Sequence, residues 1–220
     1  MRTLAIAVAL LFTIATPAVA QRLKPLPHAA FDVRGFFSKL GQDPVTASDL
    51  DVAATDLPAR GLGGVAGIHV YLWRGQNLAL GIGAEGVLAR GHRTPSVADT
   101  STTTTSDTPV ATAPRVEQRL AGLSGGFSLN FGHRDGWSYV SAGMGPLSFI
   151  TFTGTTAPGE RPPVQMTINL GGGARWFSSR HVAFCFDVRL YQTQPEVLTP
   201  SYPRRQRASL LVMSAGISLR

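Results

Sequence analysis

Three observations predict an all-β fold: a closed antiparallel up-and-down transmembrane β-barrel of about eight strands, preceded by a cleaved signal peptide. Apolar residues alternate at period two in one segment after another. The connections between those segments are alternately long and short. The chain is also poor in charge, since Asp, Glu, Lys and Arg make up 15% of its 220 residues, where a soluble domain carries about 25%. A composition that is 44% hydrophobic argues against disorder. A helical membrane protein is excluded as well, because no apolar run beyond the N-terminus reaches the roughly 18 residues that a spanning helix needs.

The N-terminus comes first. Met1-Arg2-Thr3 is a basic start, Leu4 to Ala15 is an apolar stretch too short to span, and Ala18-Val19-Ala20 is a small-x-small cleavage site. Cleavage is expected between Ala20 and Gln21. The expected organisation is therefore a signal peptide at 1–20, a periplasmic N-terminal segment at 21–30 and an outer-membrane barrel domain at 31–220. Loss of Arg2 lowers the formal charge from +7 to +6. Cys185 is the only cysteine, so an internal disulfide is excluded and the architecture itself must stabilise the exported chain.

A short first strand is predicted near Phe31 to Leu40. In the second, Leu62, Ala66, Ile68, Val70 and Leu72 oppose Gly63, Val65, Gly67, His69 and Tyr71. Arg74-Gly75-Gln76 turns tightly into a third, where Leu78, Leu80, Ile82, Ala84 and Leu88 oppose Ala79, Gly81, Gly83, Glu85 and Ala89. Leu123, Phe127, Leu129 and Phe131 mark the fourth, and His133-Arg134-Asp135-Gly136 turns into a fifth from Trp137 to about Phe152. Pro146 lacks an N–H for the ladder and is expected to mark a bulge. The sixth strand sets Val164, Met166, Ile168, Leu170, Ala174 and Trp176 against small and polar residues, and Ser178-Ser179-Arg180-His181 leads into the seventh. There Val182, Phe184, Phe186, Val188 and Leu190 oppose Ala183, Cys185, Asp187, Arg189 and Tyr191, and Leu211 to Leu219 supplies the last strand. Long connections fall at 41–58, 91–114, 154–163 and 194–204. Short turns at one end and long loops at the other are the pattern of a barrel across an outer membrane.

In lipid every backbone N–H and C=O must be paired, so such a sheet closes on itself and its oily face meets the acyl chains. The opposite face then fills a narrow lumen with Gly, Ala and Ser, punctuated by charges. Asp32, Arg34, Glu85, Arg175, Asp187 and Arg189 are predicted to form a paired lumen network, because isolated charges there would be costly. Trp73, Trp137 and Trp176 all lie beside short turns and are predicted to form a periplasmic-side aromatic girdle. Phe149, Phe152, Tyr191 and Tyr202 are candidates for the opposite one. Glu117 and Arg119 fall on the oily face of the fourth strand and are placed above the membrane, beside the long loop.

Several tempting motifs carry no chemistry here. Gly81-Ile82-Gly83-Ala84-Glu85-Gly86 matches G-x-G-x-x-G, but it lies inside an alternating strand rather than at a strand-to-helix turn. His28, His69, His92, His133 and His181 show no metal-ligand spacing and no triad arrangement. Catalytic residues, cofactors and metals are therefore not expected. Basic residues are scattered singly except in Arg204-Arg205-Gln206-Arg207, so a nucleic-acid partner is excluded and that cluster reads as a solvated rim or a contact with acidic lipopolysaccharide. Thr100 to Thr108 is low in complexity and reads as an exposed loop tip.

With signal peptide, strand pattern and loop asymmetry together, the chain resembles the small eight-stranded outer-membrane barrels of Gram-negative bacteria, the OmpA/OmpX/OmpW-like family, from about Phe31 to Arg220. The resemblance implies a monomeric barrel in the outer membrane, inserted by the barrel assembly machinery and surrounded by lipid and lipopolysaccharide. Its implied roles are membrane integrity, adhesion, or minor passage of small solutes. The chain departs from the family in ending Ile217-Ser218-Leu219-Arg220 rather than on an aromatic residue. Two other classes remain: a soluble exported lipocalin-like barrel holding a greasy ligand, which requires charge outside and bulk inside, and a lipid-modifying outer-membrane enzyme. No histidine here is followed by the x-Ser of the lipid A deacylases.

Overall fold

A computed structural model describes residues 25–95, 114–155 and 157–220. The expected signal peptide, residues 21–24 and the Thr100–Thr108 stretch lie outside these. The strands are β1 (Ala29–Lys39), β2 (Arg60–Arg74), β3 (Leu78–Arg93), β4 (Val116–His133), β5 (Gly136–Thr153), β6 (Gln165–Phe177), β7 (Val182–Gln192) and β8 (Ser209–Leu219). Each pairs antiparallel with its neighbour in sequence, and β1 closes the barrel against β8, so every strand has two partners. One short helix, α1 (Pro44–Asp49), and a 3₁₀ turn at Ala54–Asp56 lie in the first long loop.

Alternation sorts the side chains as the sequence predicts. Leu62, Leu72, Leu123 and Phe127 on the outer wall are 66–75% exposed, and similar residues continue around all eight strands. Asp32, Arg34, Glu85, Arg175, Asp187 and Arg189 are buried inside.

Two irregularities adjust the ladder. The β2–β3 register slips by one residue between Tyr71 and Trp73. This bulge turns both Leu72 and Trp73 outward, although strict alternation would place Trp73 inside with Tyr71. Pro146 produces no bulge, contrary to expectation. The β4–β5 ladder skips Leu123 and Ser124 and resumes in the same register, from Gly122–Leu147 to Gly125–Met144. The missing N–H removes a bond without adding a residue.

The lumen is layered. At the short-turn end Leu26, Ala30, Tyr71, Ala79 and Trp137 pack together with Phe177. The charged residues come next. The long-loop half holds an apolar core of Phe36, Leu40, Val65, Val87, Leu120, Leu147, Phe149, Tyr191, Leu210 and Val212. The expected lining of Gly, Ala and Ser with charges thus describes only part of the interior. Wherever that half is filled by bulk, the inward positions are large.

The long loops cover this end. Asp43 caps α1 by accepting from the Val45 N–H at 3.1 Å and also accepts from the Gln206 N–H at 2.8 Å. Asp49 accepts from the Arg204 backbone N–H at 2.8 Å and its guanidinium at 2.7 Å, which ties the first long loop to the last. β4 and β5 rise above β6, whose first pairing with β5 is Gln165 with Leu147. Tyr202 covers Ile150 and Phe152 on the outer face of that unpaired stretch, and the Arg205 guanidinium donates to the Phe149 carbonyl. A free strand edge is thereby covered.

Candidate functional site

The six predicted lumen charges converge from β1, β3, β6 and β7. Arg175 grips Asp32 with two hydrogen bonds, Nε to Oδ1 at 3.1 Å and Nη2 to Oδ2 at 2.5 Å. Arg34 meets Glu85 at 2.5 Å and Asp187 at 3.3 Å, and Arg189 meets Asp187 at 3.2 Å and Glu85 at 3.6 Å. Three guanidiniums thus face three carboxylates. The contacts run between strands distant in sequence, so the network braces opposite walls of the barrel.

Neutral groups complete it. Tyr139 donates to Asp187 at 2.8 Å, while Arg189 donates to Asn169 at 2.7 Å and to Ser141 at 3.0 Å. Arg175 lies over the Tyr139 ring at 4.4 Å and the Trp137 ring at 5.8 Å. His69 is the member that sequence reasoning missed: its Nε2 lies 3.2 Å from Asp32 and 3.4 Å from Glu85. The signal was present, because His69 shares the inward face with Tyr71 and Gly67. Its role is not a matter of histidine spacing, since its partners are carboxylates on β1 and β3.

Glycine makes the packing possible. A Cβ on Gly83 would lie 2.6 Å from the His69 Nδ1, and one on Gly67 would lie 2.8 Å from the Glu85 Cγ. Gly83 belongs to the G-x-G-x-x-G stretch, whose first two glycines admit inward side chains from β2 rather than a phosphate.

Asp32, His69 and Glu85 place one ligand atom each within 4.8 Å of one another, a donor set that suits a cation in type. Here arginines already hold both carboxylates, Arg175 on Asp32 and Arg34 on Glu85, so the positive charge that a cation would supply is in place. The space beside His69, Glu85, Ser128 and Arg189 amounts to about 20 Å³, enough for about one water molecule.

The aromatic predictions need correction. Trp73 and Trp176 do lie on the outer wall at the short-turn end, 51% and 54% exposed, and Trp176 stacks on Phe184. Trp137 is 2% exposed and faces the lumen. It shares the inward parity of Tyr139, stacks on Phe177 at 5.1 Å and meets Tyr71 edge-on at 5.9 Å, so it seals the mouth instead of joining a girdle. The opposite girdle is not formed by the residues proposed for it. Phe149 and Tyr191 belong to the inner core, and Phe152 and Tyr202 cover one another. Glu117 and Arg119 do lie outward at the long-loop end of β4. The Glu117 carboxylate is nonetheless fully covered, by Arg90, Arg115 and Arg119.

No family model and no curated protein matches the chain. Among solved structures it is similar to Neisserial surface protein A, at 12% identity over 88% of this chain and 97% of that one, with a TM-score of 0.49. It is also similar to the N-terminal β-barrel domain of OprF from Pseudomonas aeruginosa, at 12% identity over 89% and 99% with a TM-score of 0.38. A third is the outer membrane protein AlkL, at 16% identity over 94% and 96% with a TM-score of 0.38. The barrel assignment rests on the closed ladder of this chain itself.

Proposed function

We propose that the chain is an integral outer-membrane β-barrel with a plugged lumen, acting in envelope integrity and surface contact. One observation carries the reading: the polarity of the barrel is inverted relative to a soluble protein. Bulky apolar side chains stand exposed on all eight strands, while the charged network is buried at the centre. A surface this apolar is tolerated where the solvent is lipid. The lipocalin-like alternative requires a charged exterior and an open greasy cavity, whereas here the exterior is apolar and the interior is filled by ion pairs and packed apolar side chains. In this reading the short turns lie in the periplasm and the long loops outside. One chain closes the barrel, the barrel assembly machinery inserts it, and lipid and lipopolysaccharide surround it. No catalytic step is assigned.

Cell fractionation with gel mobility of boiled and unboiled protein tests the location. Recovery in the outer membrane with a heat-dependent shift is expected, and soluble recovery with no shift would overturn the reading. Planar-bilayer recordings test the plug. The apolar and aromatic layers flanking the ion-pair network support an absence of discrete conductance steps, and stable steps would show an open path.

A further inference from the structure

On the outer wall at the long-loop end, positive charge outnumbers negative among the described residues. Lys39 and Arg60 are directly paired across β1 and β2, and Arg90 and Arg119 across β3 and β4. All four face outward, and like charges opposite one another destabilise a sheet. Arg60 stands one outward position beyond Leu62, the residue paired with Arg90, so the four cations form a continuous arc. Among the described residues one acid, Glu117, serves this arc. Its Oε1 takes Arg90 at 2.6 Å and Arg115 at 3.3 Å, and its Oε2 takes Arg119 at 3.2 Å. One carboxylate against three guanidiniums leaves two positive charges over. The Arg90 side chain is 51% exposed and, among the described residues, keeps donors free to face outward, while Arg119 is steadied over the Phe152 ring at 5.0 Å.

Directly below, one outward position along each strand, Leu88 and Ala121 begin an apolar groove. It has a volume of about 770 Å³, floored by Gly64, Ala66 and Gly86 and walled by Leu88 and Leu123. An arginine cluster on top of a small-residue groove has the shape and charge of a membrane lipid that carries phosphate on its headgroup. We propose that this face of β2–β4 binds such a lipid of the outer leaflet, with a phosphate on Arg90 and Arg119 and an acyl chain in the groove. Guanidinium is suited to phosphate because its N–H groups match two oxygens at once. Glu117 holds the three arginines together at the cost of one unit of their charge.

The inference rests on the outer-membrane reading above, and its test keeps the two apart. The full chain is inserted into phosphatidylcholine vesicles carrying a few per cent of lipid A or its dephosphorylated form, and the lipid that stays with the protein after extraction is quantified. Wild type is expected to retain the phosphorylated form about tenfold better, the worth of one charge-assisted hydrogen-bond set. The double variant Arg90→Gln/Arg119→Gln is expected to lose that preference, while Glu117→Gln keeps or raises it. Ala121→Phe, which fills the groove from its lipid side, is expected to lower retention of both forms. Equal retention of the two lipids by wild type, or an undiminished preference in the double variant, would overturn the headgroup site. Unchanged retention in Ala121→Phe would overturn the groove. A preference lost in Glu117→Gln would show that the arginines serve only their carboxylate. Each protein is also run boiled and unboiled: a heat shift without lipid preference sinks this site alone, and no shift in any vesicle sinks the barrel reading.

Discussion

The two halves of the lumen solve the same packing problem with opposite chemistry. Towards the long loops, Phe36, Leu120, Leu147 and Phe149 fill the barrel by bulk, as in the interior of a soluble protein. Towards the short turns, inside the layer that Tyr71 and Trp137 close, Asp32, Arg34, Glu85, Arg175, Asp187 and Arg189 fill it with ion pairs, and glycines such as Gly83 give those side chains room. Apolar filling tolerates the loss of any one member in proportion to the volume lost. Ionic filling does not, because each charge left without its partner remains buried in a medium that stabilises it poorly. The halves therefore differ in how they fail, and substitution distinguishes them.

The largest effect is expected from Arg34→Met, which leaves the buried Glu85 and Asp187 to share Arg189 alone. Barrel stability in vesicles should fall by about 3–5 kcal/mol, read from the urea midpoint. A loss under about 1 kcal/mol would show that the ionic layer is not coupled in this way. In the apolar half, Leu120→Ala should cost about 2–5 kcal/mol by the cavity it leaves, and the loss should be regained by a volume-restoring Leu120→Met. On the outer wall, Met144→Arg near the middle of β5 should cost about 2–4 kcal/mol in a bilayer, whereas Leu219→Arg at the strand end should cost about 1 kcal/mol or less. Equal costs at the two sites would argue against a membrane around the barrel.

A paired replacement sharpens the contrast. Asp32→Leu with Arg175→Met removes a complete ion pair, and the double variant should lie within about 1 kcal/mol of the parent, while each single change costs several times more. Losses that simply add would mean the pair carries no coupling. The smallest effect concerns the loop latch. The Arg204 guanidinium and N–H hold the Asp49 carboxyl below the usual aspartate range. An acid whose folded value is lowered contributes stability above its unfolded value and loses it as pH falls through the folded one. Hydrogen exchange at the Arg204 amide should therefore be slow near neutrality and quicken only below the ordinary aspartate range, and a flat profile would count against the latch.

Much of this was legible in the residues. Period-two alternation and the switch between short and long connections predict the strands, the closure and the inward set of charges, because side-chain direction in a strand depends on local backbone geometry alone. His69 is legible in the same way, by its parity with Tyr71. The apolar half of the lumen is also written in the inward positions Phe36, Val65, Val87 and Leu147, which stand among glycines and serines of the same parity. For Trp137 parity with Tyr139 governs over nearness to a turn, so the ring faces the lumen.

Other features could not be read from the chain. Trp73 faces outward only because a one-residue slip at Tyr71/Trp73 reverses its direction. Pro146 interrupts the ladder without bending the register, since its neighbours on β4 and β6 hold it in place.

By itself, the sequence determined the strand count, the two faces of each strand and the location of charge inside and oil outside, all consequences of a repeat that two residues suffice to define. Tertiary structure decided which charge meets which: Arg175 with Asp32 across the lumen, Arg34 with Glu85 and Asp187, and three arginines on Glu117. Those pairings depend on the register and tilt with which distant strands close the barrel, and no single strand carries that information.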